Sequence, residues 1–513
     1  MQRVENCHYW WRNRRPHFRY RLEATARLRR LYNLGESIRD CGNVEGQHVP
    51  RLCIGCSHPL PELKAYWEDL AHKYSLHEHI VLNSEVIAAE WNSDQQYYSV
   101  TVKDLVSGMT STTHAHVLVS ATGILHIPNF PRDLNGIHNF KGQWFHSARW
   151  DHNVDLQGKR VAVIGNGASA SQFVPVIAQD SSVHVVNFCR TPSWFLPRPK
   201  RPYSDREKWV FSHVPFALRF YRNVVMFLSD AQYLGFMGKG KTTFKEISER
   251  HCLGYMKSTA PAKYHEKLTP DFPLGCKRLI VDSPKDGYLA ALHLPNMTIK
   301  WDGIAAITED GIITQKGESI SFDVIILATG FRTNEFPFPL KGRTGETIQD
   351  YYRSQGGATA YLGTTVPGFP NHYIMSGPNT VTSHASVIFT EEVQVDYCMK
   401  LIKPILDGSV TSFEVTAEAS DAYNKKIQAK LTDSIYAHCT SWYRVDGSKK
   451  LAAPFPGPMA LYWWLLRRPK WEHYRAVGAE RWLRQRRVRK FGWYMVLLVT
   501  CLTSVYMSRA LKF

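Results

Sequence analysis

The feature that most limits the fold is a glycine-rich turn set between two apolar runs. Residues 161–164 are uniformly apolar. Gly165-Asn166-Gly167-Ala168-Ser169-Ala170 follows, a helix-like stretch continues to Gln179, and residues 183–188 form a second strand-like run. Strand, turn, helix and strand in that order specify a βαβ unit, whose crossover places the two strands parallel in one sheet. Gly165 and Gly167 permit a tight turn and let backbone N–H groups approach a pyrophosphate, while the helix points its positive end at the phosphates. Ala170 stands where a small residue lets the helix pack against the strand. The unit predicts a dinucleotide site built from Gly165, Asn166, Gly167, Ala168, Ser169 and Ala170. The end of the second strand selects the cofactor. An NAD site places a carboxylate there for the ribose hydroxyls, whereas this chain has Arg190 and Thr191, a guanidinium and a hydroxyl suited to a 2′-phosphate. The expectation is NADPH rather than NADH.

Around this unit, residues 62–74 read as an amphipathic helix with Leu63, Tyr66, Trp67 and Leu70 on one face. Strand-like runs follow at 80–91, 97–103 and 116–120, the last stopped by Ala121-Thr122-Gly123. A later run, 323–327, ends in the same way at Ala328-Thr329-Gly330. Between them, residues 200–270 are rich in aromatic and basic residues and predict an irregular helical insertion. Residues 331–380 read as loops and 390–406 as a helix.

Net charge is +18, but it is concentrated at the two ends. Residues 1–30 hold nine Arg against Glu5 and Glu23, and residues 467–490 hold ten Lys+Arg against Glu472 and Glu480. The middle is close to neutral, which argues against a nucleic-acid-reading surface. Ten scattered cysteines argue against a disulfide scaffold and predict reduced, unpaired thiols in a cytosol-facing protein. Cys53 and Cys56 form a CxxC with Cys41, His48 and His58 nearby, but no second pair follows at zinc-finger spacing, so no metal is expected. Residues 491–507 carry no charge and follow Arg484, Arg486, Arg487, Arg489 and Lys490. With Trp493, Tyr494 and Tyr506 near its ends, this run predicts a C-terminal transmembrane anchor with the catalytic body in the cytosol, for example at the endoplasmic reticulum. A helix packed on the protein surface is the other reading.

Just before the glycine turn, Phe140-Lys-Gly142-Gln-Trp-Phe-His146-Ser-Ala-Arg-Trp150-Asp151 matches the pattern FxGxxxHxxxW. This resembles the fingerprint of flavin-dependent Baeyer–Villiger monooxygenases. The two Ala-Thr-Gly strand ends resemble that family's crossovers between FAD and NADP domains. The stretch Gly275-Cys276-Lys277-Arg278 is similar to the one holding its active-site arginine, and the C-terminal run from Gly457 to Trp482 is similar to fungal members. The resemblance implies an α/β fold of two Rossmann-like dinucleotide-binding domains, with FAD and NADPH as cofactors. It implies insertion of one oxygen of O2 beside the carbonyl of a ketone. Arg278 would be the catalytic cation, Lys277 would join Arg190 at the 2′-phosphate, His146 would couple NADP binding to domain movement, and the backbone of Val86 would contact the adenine of FAD. The aromatic insertion suggests a bulky apolar ketone, as in secondary metabolism.

On this resemblance the chain divides into an atypical basic segment (1–60), a first part of the FAD domain (61–135) and an NADP domain with its insertion (136–325). A second part of the FAD domain (326–450), a basic extension (451–490) and the anchor (491–507) follow. The family's opening glycine turn for the FAD pyrophosphate is missing, because Gly35, Gly42, Gly46 and Gly55 lack its spacing. The FAD domain is thus incomplete at its N-terminus. Three accounts stay open: residues 1–60 replace the true segment through a misread gene start, the chain is a truncated NADP-binding paralogue that does not catalyse, or FAD is held in another way. N- or S-oxygenation remains the alternative chemistry within the family. A disulfide reductase would need a redox CxxC in the FAD domain, and Cys53 and Cys56 lie outside the matched region.

Overall fold

The structure is a computed structural model that describes residues 60–131, 134–198, 203–237, 243–382, 384–445 and 450–488, with Thr500 and Thr503. At its centre is a five-stranded parallel sheet in the order Met297–Lys300, His184–Phe188, Arg160–Ile164, Val324–Leu327, Gln143–His146. Every neighbouring pair runs parallel. Val161, Ala162, Val163, Ile325 and Ile326 are fully enclosed, because both faces of the sheet are covered. On one face Phe173 and Val174 of the Ala170–Ile177 helix pack on Val161, Val163 and Ile326. On the other, Phe140, Phe188 and Ile325 pack with Ile307, Ile312 and Ile320. The last three come from a small antiparallel sheet, Ile304–Ile307, Gly311–Thr314 and Ser319–Ser321.

A four-stranded sheet, in the order Leu340–Lys341, Ser84–Asn92, Tyr97–Asp104, Thr110–Ala115, forms a separate layer. Its strand over 80–91 starts later than expected. Asn83 adopts φ +52°, which turns the chain, and Val81 and Leu82 are left exposed. The Thr110–Ala115 strand carries no apolar alternation and is almost wholly exposed, which hides an edge strand from any periodicity argument. A two-stranded parallel sheet joins Leu118–Ser120 to His372–Ile374. It lies beside a large core formed by the helices Val387–Leu406, Ala417–Thr432 and Met459–Leu466.

The insertion is helical, as its spacing predicts: Asp205–His213, Ala217–Met237 and Thr243–Thr259. The first is started by a full capping box, with Ser204 and Glu207 exchanging hydrogen bonds. Residues 1–59, with Cys41, Cys53, Cys56 and their neighbouring histidines, lie outside the described residues. So does the expected anchor at 491–507, apart from Thr500 and Thr503. Among the described residues no helix is long and apolar enough to cross a membrane.

One expectation is overturned. Cys276 and Cys439 are joined by a disulfide across 163 residues of sequence, with Cα atoms 6.1 Å apart, so the thiols are not all unpaired. Cys189, Cys252 and Cys398 are free and buried. The pairing was invisible in the sequence because no local spacing encodes a contact made by tertiary structure.

Candidate functional site

The glycine turn follows the central strand, so it emerges at the carboxyl end of the sheet where open α/β folds bind ligands. Gly165 has φ +107°, and a Cβ there would stand 2.5 Å from the carbonyl oxygen of Ala328. Only glycine allows that conformation and approach together. A Cβ on Gly167 would meet nothing within 4 Å, so the outer side of the turn is an open cradle. Ala170 is fully buried at the start of the helix, in the small-residue role its position predicts. Ala168 offers its carbonyl to Ser171 Oγ and to Gln172 Nε2.

The turn is braced by Asn187, a polar residue wholly enclosed in the second strand. Its amide donates to the carbonyls of Val163 and Gly165, each at 2.9 Å, and accepts from the Tyr288 hydroxyl at 2.6 Å. Sequence reasoning passed over Asn187, although a lone amide within an apolar strand is a signal of this kind of internal bonding. Behind it, buried Asp282 accepts from the backbone of Tyr288 and Leu289 and from the Tyr255 hydroxyl. Burial outweighs those bonds and pushes its pKa up to about 6.

Arg190, Thr191 and Lys277 converge beside the turn. Lys277 Nζ donates to Thr191 Oγ1 at 2.7 Å, and Asn166 Nδ2 donates to the Thr191 carbonyl at 2.9 Å. The Lys277 ammonium also lies 4.5 Å from the centre of the Phe272 ring. Burial first, and the Arg190 charge second, hold the Lys277 pKa below its ordinary value, with Asp271 opposing them. Lys277 thus holds the Thr191 hydroxyl with the Arg190 charge near it, and among the described residues neither cation forms a salt bridge. An anion placed between them would relieve their repulsion, which fits a 2′-phosphate.

Arg278 is half-buried on the same loop, and its charge reaches the buried Tyr443 hydroxyl. The Cys276–Cys439 bridge ties this loop to the segment that follows the Ile435–His438 turn. The catalytic candidate therefore stands between the NADP-side sheet and the C-terminal core.

The fingerprint residues line the strand Gln143–His146 and its ends. Phe140 is buried, and a Cβ on Gly142 would press into the Asp323 carbonyl oxygen, so that glycine is required by close packing. Trp150 packs edge-on against Phe145 and Phe173. His146 is 2% exposed, and its Nδ1 accepts from the Ala148 N–H at 3.0 Å. Burial lowers its pKa to about 4; the Gly330 backbone opposes the shift without closing a full hydrogen bond to Nε2, and Arg149 adds to it. The imidazole is neutral at pH 7. It is flanked by the rings of Phe130 and Phe331, where the two crossovers meet through a Pro128–Phe331 bridge and an Asn129 N–H to Gly330 bond. Val86 lies elsewhere, on the four-stranded sheet beside a register shift. The start of its strand approaches the first crossover, where the Glu85 charge acts on His126.

The structure thus gathers Gly165, Asn166, Gly167, Arg190, Thr191 and Lys277, sets Arg278 one residue further along, and leaves Val86 on a different sheet. The pyrophosphate turn of a second dinucleotide is not among the described residues.

Comparison with known proteins places this geometry. The profile of the flavin-binding monooxygenase-like family matches residues 59–213. A Baeyer–Villiger monooxygenase of Pseudomonas aeruginosa is 36% identical over 404 residues, covering 77% of this chain and 74% of that protein. The FAD-binding monooxygenase ktnD of Aspergillus niger is 34% identical, covering 75% of this chain and 64% of that protein. The crystal structure of OTEMO complexed with FAD and NADP matches in fold, with a TM-score of 0.71 at 21% identity, over 88% of this chain and 97% of that one.

Proposed function

Since the chain belongs to the Baeyer–Villiger monooxygenase family, we propose that it is an NADPH- and FAD-dependent monooxygenase that inserts one oxygen of O2 beside the carbonyl of a bulky apolar ketone, giving an ester or lactone. The observation that carries this reading is the convergence of Arg190, Thr191 and Lys277 at the Gly165 turn, with Arg278 next on the same loop. The turn and the two cations hold NADPH by its pyrophosphate and 2′-phosphate. FAD supplies the hydride-accepting and oxygen-activating chemistry when bound. Arg278 would supply the positive charge that the oxygen-transfer step needs. His146, neutral and wedged where the crossovers meet, positions the two halves and does not exchange a proton.

The test is incubation of the purified full chain with NADPH, O2 and a panel of bulky ketones, sulfides and amines, with products read by mass spectrometry. An ester or lactone one oxygen heavier than its ketone supports the proposal, and Arg278→Ala should abolish it while NADPH still binds. Sulfoxide or N-oxide alone would move the assignment to N- or S-oxygenation. A colourless protein that binds NADPH and forms no product would refute the proposal. Attachment through residues 491–507 is a separate proposal resting on their composition, and carbonate extraction of membranes tests it.

A further inference from the structure

The Ala217–Met237 helix is built inside out. The side that faces the protein includes Arg222, Met226, Asp230 and Tyr233, four residues on one stripe at helical spacing. Its contacts there are specific and largely polar. Arg222 is ion-paired with Glu392 and lies over the Phe389 ring. Asp230 accepts from the backbone N–H groups of Met459 and Ala460 at 2.7 and 2.9 Å, capping the Met459–Leu466 helix, and pairs with His384 at 3.1 Å. These clasps fix the rotation of the helix. They turn Phe220 (71% exposed), Phe227 (71%), Leu228 (53%) and Leu234 (62%) to solvent, and Val224 lies between them. A helix that docks only on its own protein carries the opposite pattern. A contiguous apolar patch held rigidly outward marks an interaction surface.

We propose that this face docks on an anionic lipid bilayer, with the helix lying in the plane of the headgroups. The charge around it selects that partner. The exposed charge of the helix is Arg219, and the helix has no exposed acid. The adjoining Met459–Leu466 helix presents Trp463 and Trp464 to solvent and runs on into exposed Arg467, Arg468 and Lys470, with the Arg467 guanidinium 3.3 Å from the centre of the Trp464 ring. Aromatic rings beside arginines suit the boundary between acyl chains and headgroups. The proposal is independent of an anchor at 491–507.

The test places an environment-sensitive fluorescent amino acid at Phe227, and in a control at exposed Val106 in a turn of the four-stranded sheet, in the full-length protein. Each is mixed with phosphatidylcholine vesicles with and without about a third phosphatidylserine. The expected result is a blue shift and quenching by brominated lipid at 227 but not at 106, with vesicle affinity falling at least tenfold in Arg219→Glu/Arg468→Glu. Pelleting with vesicles while the probe at 227 still reports water would overturn the proposal, because the anchor alone would then hold the protein. A blue shift without vesicles would also overturn it. Concentration dependence of that shift would identify a second copy as the occupant, and independence would identify another segment of this chain.

Discussion

Replacing Asn187 by Leu removes the brace behind the nucleotide turn while keeping the branched outline of the side chain. Four hydrogen bonds disappear: those to the Val163 and Gly165 carbonyls, that from the Tyr288 hydroxyl and a weaker one from Cys189 Sγ. At about 1 kcal/mol net for each of the three N–H and O–H bonds, and a further 1–2 kcal/mol for the Tyr288 hydroxyl left with only the Cys189 thiol at 3.8 Å, the loss should be roughly 4–5 kcal/mol. The two carbonyls keep ladder or solvent partners more easily than the enclosed hydroxyl does, so the hydroxyl is the larger share. Two assays separate stability from function. Urea unfolding should show a lower midpoint, and NADPH binding should weaken in protein that is still folded, because the Gly165 carbonyl no longer has a fixed position. Tyr288→Phe in the Asn187→Leu background should then cost less than it does alone, by about 1–2 kcal/mol, since the stranded hydroxyl is removed with its former acceptor. Full additivity of the two changes, or unchanged NADPH affinity in Asn187→Leu, would refute the reasoning.

Other outcomes follow from the same geometry. Arg190→Ala and Lys277→Met should each weaken NADPH by about tenfold, equivalent to roughly 1.4 kcal/mol, and leave NADH nearly unchanged, as equilibrium binding would show. His146 and His372 are buried with pKa values lowered to about 4 and about 3. Their neutral forms are favoured by folding, so the stability they contribute is complete above the unfolded value of about 6.5 and is lost as pH falls through the folded values. Each gives up about 1.4 kcal/mol per pH unit within that window. A pH series of unfolding midpoints should fall below about pH 6, and His372→Gln should flatten the slope. Cys439→Ser opens a loop of 163 residues. It should cost up to about 5 kcal/mol by chain entropy and weaken NADPH binding and product formation together, because Lys277 and Arg278 both follow Cys276 directly.

The nucleotide half of the site was legible because it is local. Gly165 to Ala170 and the strands beside them lie within one short stretch, and their chemistry depends on backbone freedom and a helix end. Arg190 could be reached by counting to the end of the next strand. The fingerprint from Phe140 to Trp150 was legible only as a pattern. Its physical content, a glycine pressed against the Asp323 carbonyl and a histidine enclosed by Phe130 and Phe331, needed the fold.

By itself, then, the sequence determined that a parallel βαβ unit would form here, and it pointed to a phosphorylated dinucleotide at the turn, since period, glycine freedom and strand-end charge act over a few residues. Tertiary structure alone decided what stands around that turn. It brought Lys277 across 86 residues to Thr191, joined Cys276 to Cys439 and met the hidden amide of Asn187 with Tyr288. It also turned the apolar face of the Ala217–Met237 helix outward, because the polar partners that fix its rotation, Glu392, His384 and the Met459 N–H, come from distant parts of the chain. Helical periodicity states which residues share a face, but which face is buried depends on partners that no local spacing records.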